Sequence, residues 1–245
     1  MQKRNYINLS EKEKIKYIYR TISFSRLVEL FETKQNTLLS PSLWDDPFEN
    51  FILKAAFDLN GEKVTFSIHE KCFGQCWSLK RESDAMWRIY SPDKSCVRIR
   101  TTVKNLAESL SANLKGHRIS AFIGKVEYFT EKKLQVHSKK IASDIMESTG
   151  INFAKTLLVK RNSFEHENEV RLIYLGDKSE KSNKIFKYKV DPYHLITSVV
   201  IDPRAPDQLF NVYKHYLREK LGFNGLIVKS KLYKPPKELI YNLKI

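Results

Sequence analysis

Glycine is scarce in this chain: 8 residues in 245, beside 8 prolines and 3 cysteines. So little glycine leaves no strand–glycine-loop–helix signature, which disfavours a doubly wound dinucleotide fold or a Walker-type loop. Three cysteines, Cys72, Cys76 and Cys96, are too few for a disulfide framework and fit a reducing compartment. His69 stands near Cys72 and Cys76, but the spacing matches no common zinc pattern and no fourth ligand is evident, so no metal is expected. No run of about 18 apolar residues exists, which excludes a membrane-spanning helix. The N-terminus has no apolar region behind Lys3 and Arg4, so no secretory signal is expected and the cytoplasm is the expected location. Repeats and Pro/Gly/Ser-rich linkers are missing as well, leaving one domain over 1–245 as the expectation, with an N-terminal helix over 10–16 and a basic tail over 230–245 as extensions.

Acidic residues are outnumbered, 28 against 43 Lys plus Arg, for a net charge of +15. Neutralising phosphates with Lys and Arg releases condensed counterions, so a polyanion is the natural partner. The competing explanation is a lysine-rich solvated surface. Basic residues concentrate at Lys132–Lys140, Lys178–Lys189 and Lys229–Lys237, the last interleaved with Tyr233. A hydrophobic fraction of 42% with 12% aromatic is enough for a packed core.

Periodicity supplies the elements. Ser10 with Glu13 forms a capping box, and Leu27, Leu30 and Phe31 mark a helix over Ser23–Lys34. A second helix carries Val103, Leu106 and Leu110, and a helical pattern runs from Ser138 to Lys160. Another begins at Pro206, in the first turn, and ends at Gly222. Strands are expected at Tyr17–Arg20, Asn36–Ser40, Cys72–Leu79, Ser95–Thr101, Ala121–Phe129, Glu169–Leu175, Ile185–Val190, Ser198–Ile201 and Leu226–Lys229. Strands and helices do not alternate regularly. The expectation is an α+β fold with a mixed or antiparallel central sheet flanked by helices.

Four clusters look chemical. Tyr19-Arg20 ends an early apolar strand. Leu39-Ser40 leads into Trp44-Asp45-Asp46-Pro47-Phe48-Glu49, which is equally a turn anchored by aromatics. Cys76-Trp77-Ser78 precedes Met86-Trp87-Arg88-Ile89-Tyr90, aromatics that suit either a core or the walls around a flat ring. In Glu167-Asn168-Glu169-Val170-Arg171, a strand puts both carboxylates and Arg171 on one face. Arg171 then holds one carboxylate ionised and leaves the other poised. The alternative is an exposed, salt-bridged sheet edge.

In this order the motifs resemble the domain of unknown function 2971 family, over roughly residues 17 to 230. That family is similar, more remotely, to ADP-ribosyltransferases acting on nucleic acids in toxin–antitoxin and phage-defence systems. The chain departs from the pattern at Leu43-Trp44 and at Phe164, where Trp often stands. The resemblance implies an ADP-ribosyltransferase-like split sheet and NAD as substrate, with no metal. Arg20 would hold the NAD ribose or phosphate, Ser78 or Tyr90 would support the nicotinamide ribose, and Tyr19, Ser40 and Trp87 would join the cofactor contacts. Glu169 would stabilise positive charge on the ribose, with Glu167 as second carboxylate. The implied acceptor is RNA or single-stranded DNA, RNA favoured, and an antitoxin or inhibitor protein is the implied partner. Two other readings stand beside this one. One is a non-catalytic nucleic-acid-binding or sensor protein. The other is a metal-dependent nuclease with Asp45, Asp46 and Glu49 joined by Glu167 and Glu169.

Overall fold

The computed structural model describes residues 1–49, 56–59, 61–65, 70–114, 120–145, 150–176 and 183–236. His69, residues 178–182 of the second basic stretch and the tail beyond residue 236 lie outside them. The strands are β1 (Tyr6–Ile7), β2 (Tyr17–Ile22), β3 (Gln35–Leu39), β4 (Ala56–Leu59), β5 (Glu62–Thr65), β6 (Cys72–Ser78) and β7 (Val97–Thr102). They continue as β8 (Ala121–Lys125), β9 (Glu127–Phe129), β10 (Val159–Arg161), β11 (Glu169–Leu175), β12 (Ile185–Lys189), β13 (Ser198–Ile201) and β14 (Leu226–Lys229). The α-helices are α1 (Glu11–Lys14), α2 (Phe24–Thr33), α3 (Asp84–Tyr90), α4 (Val103–Ser111), α5 (Glu131–Ile145), α6 (Gly150–Thr156), α7 (Pro192–Leu195) and α8 (Asp207–His215).

Ten strands form one mixed sheet in the order β1-β8-β11-β6-β2-β7-β13-β14, with β3 joined to β6 and β12 to β3. The outer pairs β1/β8 and β13/β14 are parallel, and the interior pairs are antiparallel. This is the α+β architecture with a mixed sheet that the pattern predicts. The sheet is split. Strands β2 and β6 share one register pair, Tyr19↔Ser78, and β3 touches β6 only at Leu39↔Gly74. By contrast, β11 and β6 pair along their whole lengths.

Helix α2 shows how local chemistry sets an element. The Ser23 side chain accepts the Arg26 N–H at 3.3 Å, and Lys34 in the left-handed region ends the helix. Its apolar stripe, Leu27, Leu30 and Phe31, is buried against Ile18, Trp77, Ile99 and Leu172 of the sheet. Each leucine buried this way contributes about 1.5–3 kcal/mol. The opposite face carries a second core of Ile7, Cys72, Phe122, Leu157, Leu158 and Ile173. Both faces of β11 are therefore covered, and all seven of its residues are buried.

Several expectations change. The edge-strand alternative for Glu169–Leu175 fails, because β11 lies between β8 and β6. The stretch from Ser138 to Lys160 is not helical to its end: Val159–Arg161 is strand β10, parallel to β9. Leu157 and Leu158 fill the second core from the turn before that strand, so their apolar spacing mimicked a helical stripe. The run Ala121–Phe129 divides at Val126 into β8 and β9, which belong to different sheets. Pro206 is the N-cap of α8 rather than part of its first turn, and the helix passes through a π-helical turn, Tyr216–Lys220, before Gly222. The alternation missed β1, the β4–β5 hairpin and α3. Among the described residues, no helix is long and apolar enough to cross a membrane.

Candidate active site

The seam between β2 and β6 opens into a cleft of about 400 Å³. Its walls combine apolar and aromatic side chains, Trp44, Trp77, Met86, Trp87, Tyr90 and Phe164, with ionisable groups at the floor.

At one floor region an ammonium sits among three carboxylates. Lys160 Nζ lies 2.8 Å from Glu49 Oε1, 2.5 Å from Glu167 Oε2 and 3.1 Å from Glu169 Oε1. Arg171, fully buried, donates from Nε to Glu169 Oε2 at 2.6 Å and from Nη1 to the Leu157 carbonyl at 2.8 Å. Its Nη2 is 3.1 Å from Glu49 Oε2, and the Trp44 ring lies 4.6 Å above the guanidinium carbon. Arg171 thus bridges two carboxylates instead of gripping one bidentately. The Trp44 ring reaches that place because residue 74 is glycine; a Cβ there would stand 2.6 Å from it.

The backbone delivers the two central carboxylates differently. Glu169 begins β11 opposite Ser78, whereas Glu167 ends the 3₁₀ segment Asn162–Glu167. Asn168 between them is left-handed, φ 44°, a conformation asparagine tolerates. The two glutamates do not share a strand face as period two predicts, yet both reach Lys160. The Glu169 N–H donates to the Tyr128 hydroxyl at 2.8 Å, which fixes the start of the strand.

Their electrostatics diverge. Burial, with the neighbouring Glu169 carboxylate, pushes Glu167 up to about 7 despite Lys160. For Glu169, burial works upward but is outweighed by Arg171, with Glu167 and Lys160 also lowering it, and the carboxyl is held well below its usual range. Burial favours the proton on Glu167 while Arg171 favours the charge on Glu169, a split typical of acid–base sites.

The other residues nominated from sequence differ in how they meet the site. Tyr90 reaches the cluster: its hydroxyl donates to Glu167 Oε1 at 2.8 Å, and burial followed by Glu167 raises it above its ordinary range. Ser78 reaches only the backbone, donating to the Glu167 carbonyl at 2.6 Å and accepting the Lys80 N–H. Tyr19 and Trp87 line the cleft. Arg20 lines both the cleft and a smaller cavity of about 120 Å³ beside α2. It makes no ion pair among the described residues, and burial lowers it to about 10. Ser40 does not join the site; it caps the short 3₁₀ turn Pro41–Leu43 and is absent from the cleft wall.

Sequence reasoning missed Lys160, concealed by its assignment to a helix. It gave Glu49 a role only in the nuclease alternative, where Asp45 and Asp46 were to bind metal. Asp46 is instead paired with Arg161 at 3.1 Å, Asp45 is exposed, and the ammonium of Lys160 occupies the focus a cation would need. The departure at Phe164 is absorbed, since its ring lies 4.5 Å from Lys160 Nζ. Cys72 and Cys96 are buried, and none of the three cysteines is in a disulfide. Burial raises Cys72 to about 12, so it behaves as a packing residue.

The segment after β14 runs along the rim of the cleft. Ser230 Oγ donates to Glu82 Oε1, and the Tyr233 hydroxyl donates to Asp84. Lys231, Tyr233 and Lys234 are exposed there, with Lys80, Arg81 and Arg88 nearby in the chain that frames the cleft.

A family model described as "Protein of unknown function (DUF2971)" matches residues 86–172. The motif resemblance to that family is met over this span, which includes Trp87, Tyr90, Lys160, Glu167 and Glu169. No curated protein matches the chain. Solved structures of DarT from Thermus sp. 2.9 show a distant likeness. The complex with ADP-ribosylated ssDNA is 9% identical with a TM-score of 0.42, covering 92% of this chain and 98% of that one. The complex with carba-NAD+ is 11% identical with a TM-score of 0.39, covering 91% and 98%.

Proposed function

We propose that the protein is an NAD-dependent ADP-ribosyltransferase that modifies single-stranded nucleic acid. The observation that carries this reading is the divided carboxylate pair at the floor of an aromatic-walled cleft. A cleft of about 400 Å³ falls within the roughly 300–1,000 Å³ range of small-molecule sites. The motif resemblance to the domain of unknown function 2971 family supports NAD as the substrate.

Breaking the bond between nicotinamide and ribose develops positive charge on the sugar. Glu169, locked by Arg171 and Lys160, is a preorganised negative group in a water-poor site, where it is worth most. The bond's electron pair leaves with nicotinamide, and the acceptor nucleophile bonds to the ribose carbon. Its proton needs a base, and Glu167, titrating near neutrality with Tyr90 and Lys160 orienting it, fills that role. Tyr90, and not Ser78, is the residue that supports the reacting end. Arg20, Tyr19 and Trp87 are assigned to the substrate wall, Arg20 being free to meet a phosphate.

The basic rim and the net charge of +15 favour a nucleic-acid acceptor. Exposed Tyr233 among lysines suits base stacking on a single strand. RNA is favoured over DNA, and a transferase of this kind acting in defence calls for a protein that restrains it, as the motif resemblance implies.

Incubation with labelled NAD and RNA, single-stranded DNA or protein tests the reading. The expected result is label on nucleic acid with release of nicotinamide, both abolished by Glu169→Gln. No label on any acceptor and no free nicotinamide overturns it.

A further inference from the structure

Two hydrogen bonds and an ion pair converge on one oxygen of Glu82. Trp87 Nε1 donates to Glu82 Oε1 at 3.0 Å, Ser230 Oγ donates at 2.5 Å, and Arg98 Nη1 stands 3.2 Å away. They come from α3, from the segment following β14 and from β7, so distant parts of the chain build this point together. The Arg98 side chain is 8% exposed, and its guanidinium carbon lies 5.3 Å from the Tyr19 ring and 5.6 Å from the Trp87 ring. Its Nε has no hydrogen-bond partner, and its Nη1 meets Glu82 as an ion pair without hydrogen-bond geometry.

A buried guanidinium with unused N–H groups is costly, because desolvation is not repaid. Burial indeed lowers Arg98 below its ordinary range against the opposing pull of Glu82. The Glu82 carboxylate takes two hydrogen bonds and the ion pair on one oxygen while Arg98 Nε and Nη1 stay without a hydrogen bond. A tetrahedral oxyanion has more oxygens to distribute among the same donors. Arg98 and Glu82 both line the cleft, and Arg98 lies on the far side of the seam from Glu169, three strands along the sheet.

We propose that the Glu82 carboxylate covers a subsite for a phosphate or diphosphate group whose donors are Arg98, Trp87 and Ser230. Glu82 belongs to the loop between β6 and α3, and its side chain is 24% exposed, so it has room to turn outward when the anion enters. Arg98 then gains a partner for Nε. The inference rests on the transferase reading only for the source of the phosphate: the diphosphate of a dinucleotide, or the backbone of a nucleic acid.

Calorimetric titration of the 245-residue chain with inorganic pyrophosphate, ADP-ribose and an oligothymidylate tests it without requiring turnover. Glu82→Gln keeps an acceptor oxygen for Trp87 and Ser230 but removes the competing charge. It is expected to tighten pyrophosphate binding on the order of tenfold, the size of one charge-assisted contact. Arg98→Met is expected to weaken it by a similar factor or more. Should Arg98→Met fail to fold, Glu82→Gln decides alone, because a purely structural Glu82 leaves binding unchanged or weaker when altered. A parallel gain for ADP-ribose assigns the subsite to a dinucleotide, and a gain for the oligothymidylate assigns it to the acceptor backbone; either supports the subsite. Unchanged or weaker binding of all three probes to Glu82→Gln overturns it, whether or not NAD is turned over.

Discussion

Lys160 Nζ lies 2.5 Å from Glu167 Oε2, and the two residues enter the site from different elements, a short strand and the 3₁₀ segment that follows it. This contact partly offsets the burial that raises Glu167. The ammonium itself is raised above its ordinary range, since Glu169 and Glu49 together outweigh the burial that lowers it.

Lys160→Met removes the cation and leaves Arg171 alone to offset three buried carboxylates. Breaking a buried ion pair this way costs about 3–5 kcal/mol. Urea denaturation is expected to show a loss of that size. Glu167 loses a neighbour that lowers its pKa, so any turnover remaining is expected to need a higher pH.

Glu167 gives stability a specific pH dependence. Its folded pKa of about 7 is above the ordinary carboxylate value, so the folded state holds a proton that the unfolded state has released. The Glu167 contribution therefore declines as pH rises from about 4.5 to about 7. Glu169 is shifted oppositely, and its contribution is lost only as pH falls towards strongly acid values. Denaturation midpoints measured across pH 5 to 8 are expected to flatten in Glu167→Gln relative to the parent.

Tyr90→Phe removes the donor to Glu167 while keeping a ring that is 41% exposed. A hydrogen bond to a charged group is worth roughly 1.5 kcal/mol, or about one pH unit. The acidic limb of the pH–turnover profile is expected to move upward by that amount, with the melting temperature nearly unchanged.

Gly74→Ala is expected to push Trp44 off Arg171, because the added Cβ would stand 2.6 Å from the indole. Overpacking of this kind costs about 1–3 kcal/mol. A lower melting temperature together with altered tryptophan fluorescence is the expected signature, and an unshifted spectrum contradicts it.

Elements with strong patterns were legible in the sequence. Glu169–Leu175, Ser198–Ile201 and Leu226–Lys229 have the predicted bounds; the first two are buried on both faces, and the third, at the sheet edge, buries only Ile227. Helix α2 was legible from its apolar stripe, Leu27, Leu30 and Phe31. The Glu167/Glu169 pair was legible as chemistry, but its geometry was not, since a left-handed Asn168 breaks the period of two. Lys160 was hidden because Leu157 and Leu158 gave its segment a helical rhythm, and its partners are joined to it only by tertiary contact. Arg98 and Glu82 carried no signal for the same reason: their meeting depends on Ser230, 148 positions beyond Glu82.

The single pair Tyr19↔Ser78 at the seam has an evolutionary consequence. Arg98 and Tyr19 belong to one half of the sheet; Ser78, Glu169 and Arg171 belong to the other. A register change in β2 or β7 would be transmitted to the carboxylates through one ladder rung only. Descendants of this sequence are thus free to retune what the cleft holds while inheriting intact the groups that act on it.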